Sequence, residues 1–326
     1  MNISLKFYKL SLALLMSLFF LSCDVDDNNE SYPSAQSTIA EFAASNSDLS
    51  NLTAALSAAD GNLLSLLNGG NYTVLAPNNF AFEIFLDKNG FTSIDEVPKD
   101  ILKNILLNHV ISGTVKSSDL AAAVSGYTST NATNTDGNFL SMYFSTNNGV
   151  VFNGVSTVLN PDIATSNGVM HVVDALIELP TVVTFATANP GFETLVAALT
   201  RDDLSEDFVS ILSTTTEPAP FTVFAPTNEA FSSLFSELGV ESLNDIDTAT
   251  LESTLGTHVV AKANVRSEDL FNGMLITTIG DDLTISVGTG PQLVDLNSRT
   301  ANIIAADIQA YNGVIHVIDN VMLPKL

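Results

Sequence analysis

One stretch is written twice, and it limits the fold more than anything else in the chain. Residues 167–180 read NGVMHVVDALIELP and residues 312–324 read NGVIHVIDNVMLP. In each, an Asn-Gly turn signal leads into alternating apolar positions, the pattern of a strand half-buried in a core. Each copy carries a His (His171, His316), an Asp three residues later (Asp174, Asp319) and a closing Pro. Such a block at the end of two similar halves predicts one domain occurring twice. The strand it encodes is expected inside a sheet rather than at its edge.

Other blocks repeat in the same order. EFAASNSDLSNLTAAL (41–56) is echoed by TFATANPGFETLVAAL (184–199), and YTVLAPNNFAF (72–82) by FTVFAPTNEAF (221–231). Pro77 answers Pro226, His109 answers His258, and all four histidines fall in matched pairs. The offsets differ slightly, which places an insertion in 201–217 and a deletion in the second half's hairpin region.

Within each half the pattern predicts helices first. Ile39, Phe42, Leu49, Leu52 and Leu56 fall at helical intervals, with a break at Asn46-Ser47-Asp48. A short strand then turns at Pro77. Asn78 is placed to cap the next helix, with Asn228 in the matching motif, and that helix stops near Gly90. Asp100 is expected to cap a further helix whose Ile101, Leu102, Ile105, Leu106 and His109 share a face. Residues 121–136 give no clear signal. Alternation over 139–159, broken at Asn147-Asn148-Gly149 and Asn153-Gly154, predicts hairpins. Leu283, Ile285 and Val287 predict a strand.

Size and charge narrow the function. The chain has 326 residues, 46% hydrophobic and 14% charged, enough apolar material for two packed cores. A net charge of −25 opposes binding to nucleic acid or an anionic membrane by charge attraction. The absence of Trp weakens a carbohydrate-stacking reading.

The first 22 residues read as a leader. Lys6 and Lys9 precede an apolar run from Leu10 to Leu21, too short to span a membrane and suited to a signal-peptide core. Cys23, the sole cysteine, follows at once and can form no internal disulfide. LFFLSC resembles the lipobox of bacterial lipoproteins, with Phe20 where Leu is preferred; the resemblance implies a lipid on Cys23. Residues 23–35 read as an acidic tether. Asp24, Asp26 and Asp27 resemble the signal that exports lipoproteins of Bacteroidetes-type bacteria to the cell surface. The expected location is therefore the outer membrane, surface-exposed, with a periplasm-facing orientation as the alternative.

FTVFAPTNEAF, a helix leading into HVV, and NGVIHVIDNVMLP, in that order and twice over, resemble the signature blocks of the fasciclin (FAS1) family. The resemblance covers about residues 35–326. It implies an α+β fold of two tandem domains, 36–180 and 181–326, each a twisted β-wedge or sandwich with packed helices and roughly 140 residues long, ordinary for a domain. It also implies a non-enzymatic role in adhesion to cells, matrix protein or extracellular polysaccharide, without a cofactor. The family's Tyr-His adhesive pair is matched only by its histidines, His109 and His258, with Asn108 and Thr257 in place of Tyr. Its Asp-Ile motif is matched by Asp100-Ile101 alone.

Chemistry finds little support in the pattern. His171 with Asp174 and His316 with Asp319 are candidate acid/base pairs, yet residues three apart on a strand point to opposite faces. A His bonded inside the sheet and an Asp closing a turn are the expectation. Four scattered histidines lack zinc-site spacing. Asp202-Asp203, Glu206-Asp207 and Asp281-Asp282 offer oxygen ligands for calcium but fit no EF-hand. Asp247-Thr248-Ala249 resembles an acceptor motif for O-glycans, which would fall on Thr248. The functional expectation is a lipid-anchored surface adhesion or ligand-binding protein, with a structural envelope spacer as alternative and an enzyme on extracellular polymers as a weaker one.

Overall fold

The computed structural model describes residues 36–326 apart from Asp60, Thr289 and Leu326. The expected leader (1–22), Cys23, the export-signal acids Asp24, Asp26 and Asp27, and the tether to residue 35 lie outside the described residues.

The first half opens with α1 (Ile39–Ser45), α2 (Ser50–Ala58) and α3 (Leu63–Asn68). Thr38 starts α1 through a reciprocal cap: its hydroxyl accepts the Glu41 N–H while Glu41 accepts the Thr38 N–H. Asn46 makes the expected break, its Oδ1 accepting the Asp48 N–H at 2.9 Å. Strand β1 (Tyr72–Pro77) leads into α4 (Asn79–Asn89), where Asn78 caps as expected by accepting the Ala81 N–H at 2.8 Å. Gly90, at φ 74°, ends it in the left-handed conformation that a Cβ disfavours.

Helix α5 (Lys99–Asn108) corrects one expectation. Asp100 is its second residue, not its cap; Pro98 holds the cap position, where a missing N–H costs nothing. In the second half Asp247 does cap, accepting the Thr250 N–H at 3.0 Å. Then come β2 (Val110–Ser112), α6 (Ser117–Ala123), β3 (Ser125–Thr133), β4 (Phe139–Ser145), β5 (Val151–Phe152), β6 (Ser156–Thr165) and β7 (Gly168–Val173). The stretch without clear signal is thus the end of α6 and all of β3. Its Ser, Thr and Asn hide a strand because half its positions are only partly buried.

The second half repeats the plan as α7 (Val182–Ala188), α8 (Glu193–Leu199), α9 (Phe208–Ser213), β8 (Phe221–Pro226), α10 (Asn228–Leu238), α11 (Thr248–Thr257), β9 (Val259–Ala261), β10 (Leu275–Ile276), β11 (Leu283–Val287), β12 (Pro291–Val294), β13 (Thr300–Ala310) and β14 (Gly313–Ile318). The expected insertion at 201–217 contains α9, the counterpart of α3.

The sheets differ in one respect. The first half closes into a seven-strand barrel because long β3 reaches both β2, at Ile111 opposite Thr130, and β4. The second half runs β10-β11-β12-β13-β14-β8-β9 and stays open between its end strands, although the Ile279 N–H just beyond β10 donates to the Val259 carbonyl of β9 at 2.8 Å. In both, the strand of the repeated block lies inside the sheet. β7 pairs parallel with β1 and antiparallel with β6, and β14 does the same with β8 and β13.

The half-buried reading of that strand is corrected. All six residues of β14 are buried. One face, with Ile315 and Val317, meets the helices, and the other, with Ile318, meets a second core beneath the sheet. β1 does likewise: Val74 and Ala76 face the helices, while Leu75 faces Met142, Phe152 and Val173. Helices cover one side and curled strands the other, so near-continuous apolar runs are required.

The two halves together form one compact unit from Gln36 onward. Tyr143 of β4 is buried among the apolar residues of the second half. Tyr127 of β3 stands beside it, and the Asn189 side chain donates to the Tyr127 hydroxyl at 3.2 Å. Ser141 accepts the Gln309 N–H at 3.0 Å, and Arg266 donates to Asn138 at 2.8 Å.

Candidate functional site

The Asn, His and Asp of the repeated block each hold a backbone partner in both copies. Asn167 is more than a turn signal: its Oδ1 accepts the Ile39 N–H at 2.9 Å and its Nδ2 donates to the Leu67 carbonyl at 2.7 Å, pinning the start of α1 to the end of α3. Asn312 does the same for α7 and α9, through Val182, Leu212 and Thr214. The glycines let β1 and β8 approach. A Cβ on Gly168 would lie 1.9 Å from the Tyr72 carbonyl oxygen, and one on Gly313 2.2 Å from that of Phe221.

His171 and Asp174 diverge, as their spacing requires. His171 Nε2 donates to the Val115 carbonyl at 2.9 Å, and its Nδ1 accepts the Asp162 N–H at 3.1 Å. His316 Nε2 donates likewise to Val265, with Asp307 at its Nδ1 side. A carbonyl can only accept and an N–H can only donate, so the ring is neutral with its proton on Nε2. Asp174 and Asp319 do not close turns. They tie the end of the strand to its antiparallel neighbour, accepting the N–H of Thr157 at 2.6 Å and of Asn302 at 2.7 Å.

The carboxylates nearest these rings are Asp162 and Asp307, which sequence reasoning passed over. Both stand at strand irregularities with φ near +60°, unusual for a residue with a side chain. Each accepts the N–H and hydroxyl of a serine, Ser117 or Ser267. Burial raises Asp307, but the Ser267 hydroxyl and N–H, His316 and Arg266 outweigh it and leave the carboxyl below its ordinary value. On His316 burial acts the other way, disfavouring the charged ring, and outweighs the Val265 carbonyl and Asp307 to leave it below its ordinary value. A Ser-x…Asp spacing of this kind has no signature that a single sequence exposes.

His109 and His258 hold the opposite tautomer. His109 Nδ1 donates to the Ile105 carbonyl at 2.8 Å and Nε2 accepts the Ile177 N–H at 2.9 Å. His258 uses Thr254 at 2.7 Å and Met322 at 3.0 Å. Burial pushes both down to about 4, against a smaller opposing pull from the backbone carbonyl. Their exposures are 1% and 3%, so neither ring is available to a partner, which corrects their place in an adhesive motif. The rings instead fasten the end of a helix to the segment after β7 or β14. Asp100 and Ile101 do reach the surface, lining a cleft of about 370 Å³ with Asn104 and Tyr311.

The acidic pairs have local duties. Asp203 binds Arg201 at 2.6 Å and accepts the Thr248 hydroxyl; Asp207 caps α9; Asp281 accepts the Lys325 N–H. Among the described residues, no three His, Cys, Asp or Glu stand close enough to hold a metal ion. Thr248 is the first residue of α11, and its hydroxyl is held between Asp203 and Arg201.

Large apolar side chains stay exposed on both halves, and on the first half two pairs of them border clefts. Phe80 and Leu159 (62% and 56% exposed) line one cleft of about 460 Å³. Ile84 and Val155 (49% and 60%) line another of about 370 Å³, whose far wall carries Thr181 and Thr184 of the second half. Phe80 and Ile84 are one helical turn apart on α4. The matching positions on α10 are Glu229 and Ser233.

Fold and site together define a tandem scaffold: two copies of one α+β unit whose repeated polar residues brace the backbone. The fasciclin-domain model matches residues 47–180 and 190–324, and the chain belongs to the fasciclin family. It is 38% identical over 146 residues to Protein sll1483 of Synechocystis sp., covering 45% of this chain and 74% of that protein. It is 27% identical over 266 residues to the transforming growth factor-beta-induced protein ig-h3 of Sus scrofa, covering 78% of this chain but 35% of that protein. A shorter match, 46% over 84 residues, is to the cell surface glycolipoprotein MPB83 of Mycobacterium bovis, covering 24% of this chain and 36% of that protein. This chain thus spans about a third of ig-h3's length. A solved FAS1 domain pair from the insect cell adhesion molecule fasciclin I shares the fold, with a TM-score of 0.50 and 19% identity over 85% of this chain and 97% of that one.

Proposed function

We propose that this protein is a lipid-anchored, non-enzymatic adhesion or ligand-binding protein of the cell surface, held by Cys23 and meeting an extracellular polymer or matrix protein with its two fasciclin domains. The observation that carries the reading is the division of labour among side chains. The histidines and their aspartates are consumed in bracing the backbone. Large apolar side chains meanwhile stay exposed on both halves, among them Phe80, Ile84, Val155 and Leu159 beside two clefts of the first. Contiguous exposed apolar surface is characteristic of interaction sites.

Family membership and the printed names of relatives, a cell surface glycolipoprotein and a cell adhesion molecule, support the same reading. The leader of residues 1–22, Cys23 directly after it and the acids that follow support outward display from an outer membrane. Protease shaving of intact cells tests the location, and mass spectrometry of the mature protein tests the acyl group. Protection from protease on intact cells, with loss on lysis, would turn the reading to the periplasmic face.

A second reading, a structural spacer in the envelope, is favoured by the sealed junction between the halves, which fixes their separation. Cells with and without the protein separate the two. A spacer changes envelope integrity and leaves attachment alone; an adhesin does the reverse.

A further inference from the structure

The asparagines that precede a glycine are Asn68, Asn89, Asn148, Asn153, Asn167, Asn272 and Asn312. In such a pair the glycine nitrogen can reach the side-chain carbonyl carbon of the asparagine, because no Cβ stands in its way. The fold occupies all of these pairs but one. Asn167 and Asn312 spend both ends of their amides on helix termini. Asn153 is 3% exposed, and its Oδ1 accepts the Tyr143 N–H at 2.9 Å. Asn89 donates to the Phe85 carbonyl at 2.9 Å, and the Gly90 N–H donates to Asp87 at 3.1 Å. Asn68 accepts the Thr38 hydroxyl at 2.9 Å, and the Gly69 N–H donates to Leu66 at 3.2 Å. Asn272 accepts the Val287 N–H at 3.0 Å, and the Gly273 N–H donates to Ile285 at 2.7 Å.

Asn148 differs. It is exposed in the turn between β4 and β5, and among the described residues its side chain makes no hydrogen bond. Gly149 has a φ of 88°, and a Cβ there would meet nothing within 4 Å, so the turn is uncrowded. Two bonds fence it. The Thr146 N–H donates to the Val124 carbonyl and the Val158 N–H to the Val150 carbonyl, each at 2.9 Å. A change of backbone at Asn148 and Gly149 therefore stops at these anchors.

We propose that Asn148-Gly149 is a site of spontaneous deamidation, selected by the fold from among its sequence equivalents. The Gly149 nitrogen bonds to Asn148 Cγ and the Cγ–Nδ2 bond breaks. Nδ2 leaves as ammonia, carrying the proton given up by the Gly149 N–H. Water then opens the succinimide ring. Attack at Cγ gives aspartate; attack at the backbone carbonyl gives isoaspartate, which lengthens the main chain by one methylene. Either product adds a negative charge to the surface of the first half. Water is the only co-reactant, and the step is independent of the adhesive reading. The bonded pairs react only after local opening, which costs little in an exposed turn and approaches the cost of global unfolding in core elements.

The test incubates the full chain at neutral and at mildly alkaline pH, natively and in urea. Peptide mapping by mass spectrometry locates the amide-to-acid exchange, and isoaspartyl methyltransferase counts isoaspartate. In the native chain Asn148 should convert at least about tenfold faster than any other Asn-Gly pair. Conversion should quicken with pH, because the attacking nitrogen must lose its proton. In urea the pairs should react at comparable rates. Gly149→Ala should slow conversion about tenfold by placing a Cβ beside the attacking nitrogen, and a retained melting temperature shows that it folds. Three results would overturn the proposal. Asn148 could stay intact while the urea-treated chain reacts. Asn68 and Asn272, exposed pairs with bonded amides, could keep pace with it. A preference for Asn148 could survive in urea, which would assign it to local sequence rather than to the fold.

Discussion

The ring of Tyr127 meets the ring of Phe185 edge-on, with 5.6 Å between centroids and 83° between planes. Tyr127 lies on β3 of the first half and Phe185 on α7 of the second. Tyr143 completes the cluster, 5.1 Å from Tyr127. Burial pushes the Tyr127 hydroxyl up to about 12, offset in part by the bond from Asn189, so it stays protonated and the seam stays neutral. The relation between the halves is therefore set by a packed aromatic seam.

Removing the seam should uncouple the halves. Tyr143 is 2% exposed, and Tyr143→Ala deletes a ring packed on the second half's core. The expected cost is about 3 kcal/mol. Differential scanning calorimetry should show one transition for the wild type and two for the variant. A single transition merely shifted downward would mean that other junction contacts suffice.

The buried histidines predict acid sensitivity. His109 and His258 titrate near 4 when folded, below the ordinary 6.5, because burial disfavours the charged ring. The unfolded chain therefore binds the extra protons. Stability is full above pH 6.5 and falls as pH drops towards 4, by about 3 kcal/mol for each ring at pH 4. Urea midpoints measured from pH 7 to pH 4.5 should decline, and a double His109→Gln, His258→Gln variant should flatten the slope. A flat wild-type profile over that range would refute the assignment.

Gly313→Ala should be severe. Its Cβ would sit 2.2 Å from the Phe221 carbonyl oxygen, a backbone atom of the paired strand, so β14 and β8 must part. Loss of roughly 4 kcal/mol or failure to fold is expected, as for a strongly overpacked core position. Gly239→Ala is the control: it has a positive φ of 68° but nothing within 4 Å, so its cost should be near 1 kcal/mol. Equal costs at the two sites would show that conformation, not contact, governs.

Asn312→Ala should unfasten α7 from α9. The side chain is 2% exposed and serves Val182, Leu212 and Thr214. Leaving those backbone groups unpaired costs about 3 kcal/mol. Hydrogen exchange should quicken first at the start of α7 and the end of α9. Unchanged exchange there would mean that water replaces the amide without penalty.

Most of the architecture was legible. The doubled blocks announced two copies of one domain, and the apolar spacing of Ile39, Phe42, Leu52 and Leu56 announced the helices. Asn78 and Gly90 marked the ends of α4 because capping depends on neighbours in sequence. Asp100 misled for the same reason reversed: Pro98 is an equally good start, and nothing local ranks the two. The burial of His109 and His258 was not legible. A histidine closing a helix reads the same whether it meets water or, as here, the N–H of Ile177 or Met322 from a distant segment.

The sequence by itself determined repetition, local structure and the order of the elements, since these rest on periodicity and on contacts a few residues apart. Only the tertiary structure decided that the shared strand is buried on both faces, that the first sheet closes while the second stays open, and that Tyr143 packs on the other half. It also decided that Asn153 is buried and bonded to Tyr143 of the neighbouring strand. Each of these depends on which residues, far apart along the chain, come within bonding distance, and no short-range pattern encodes that.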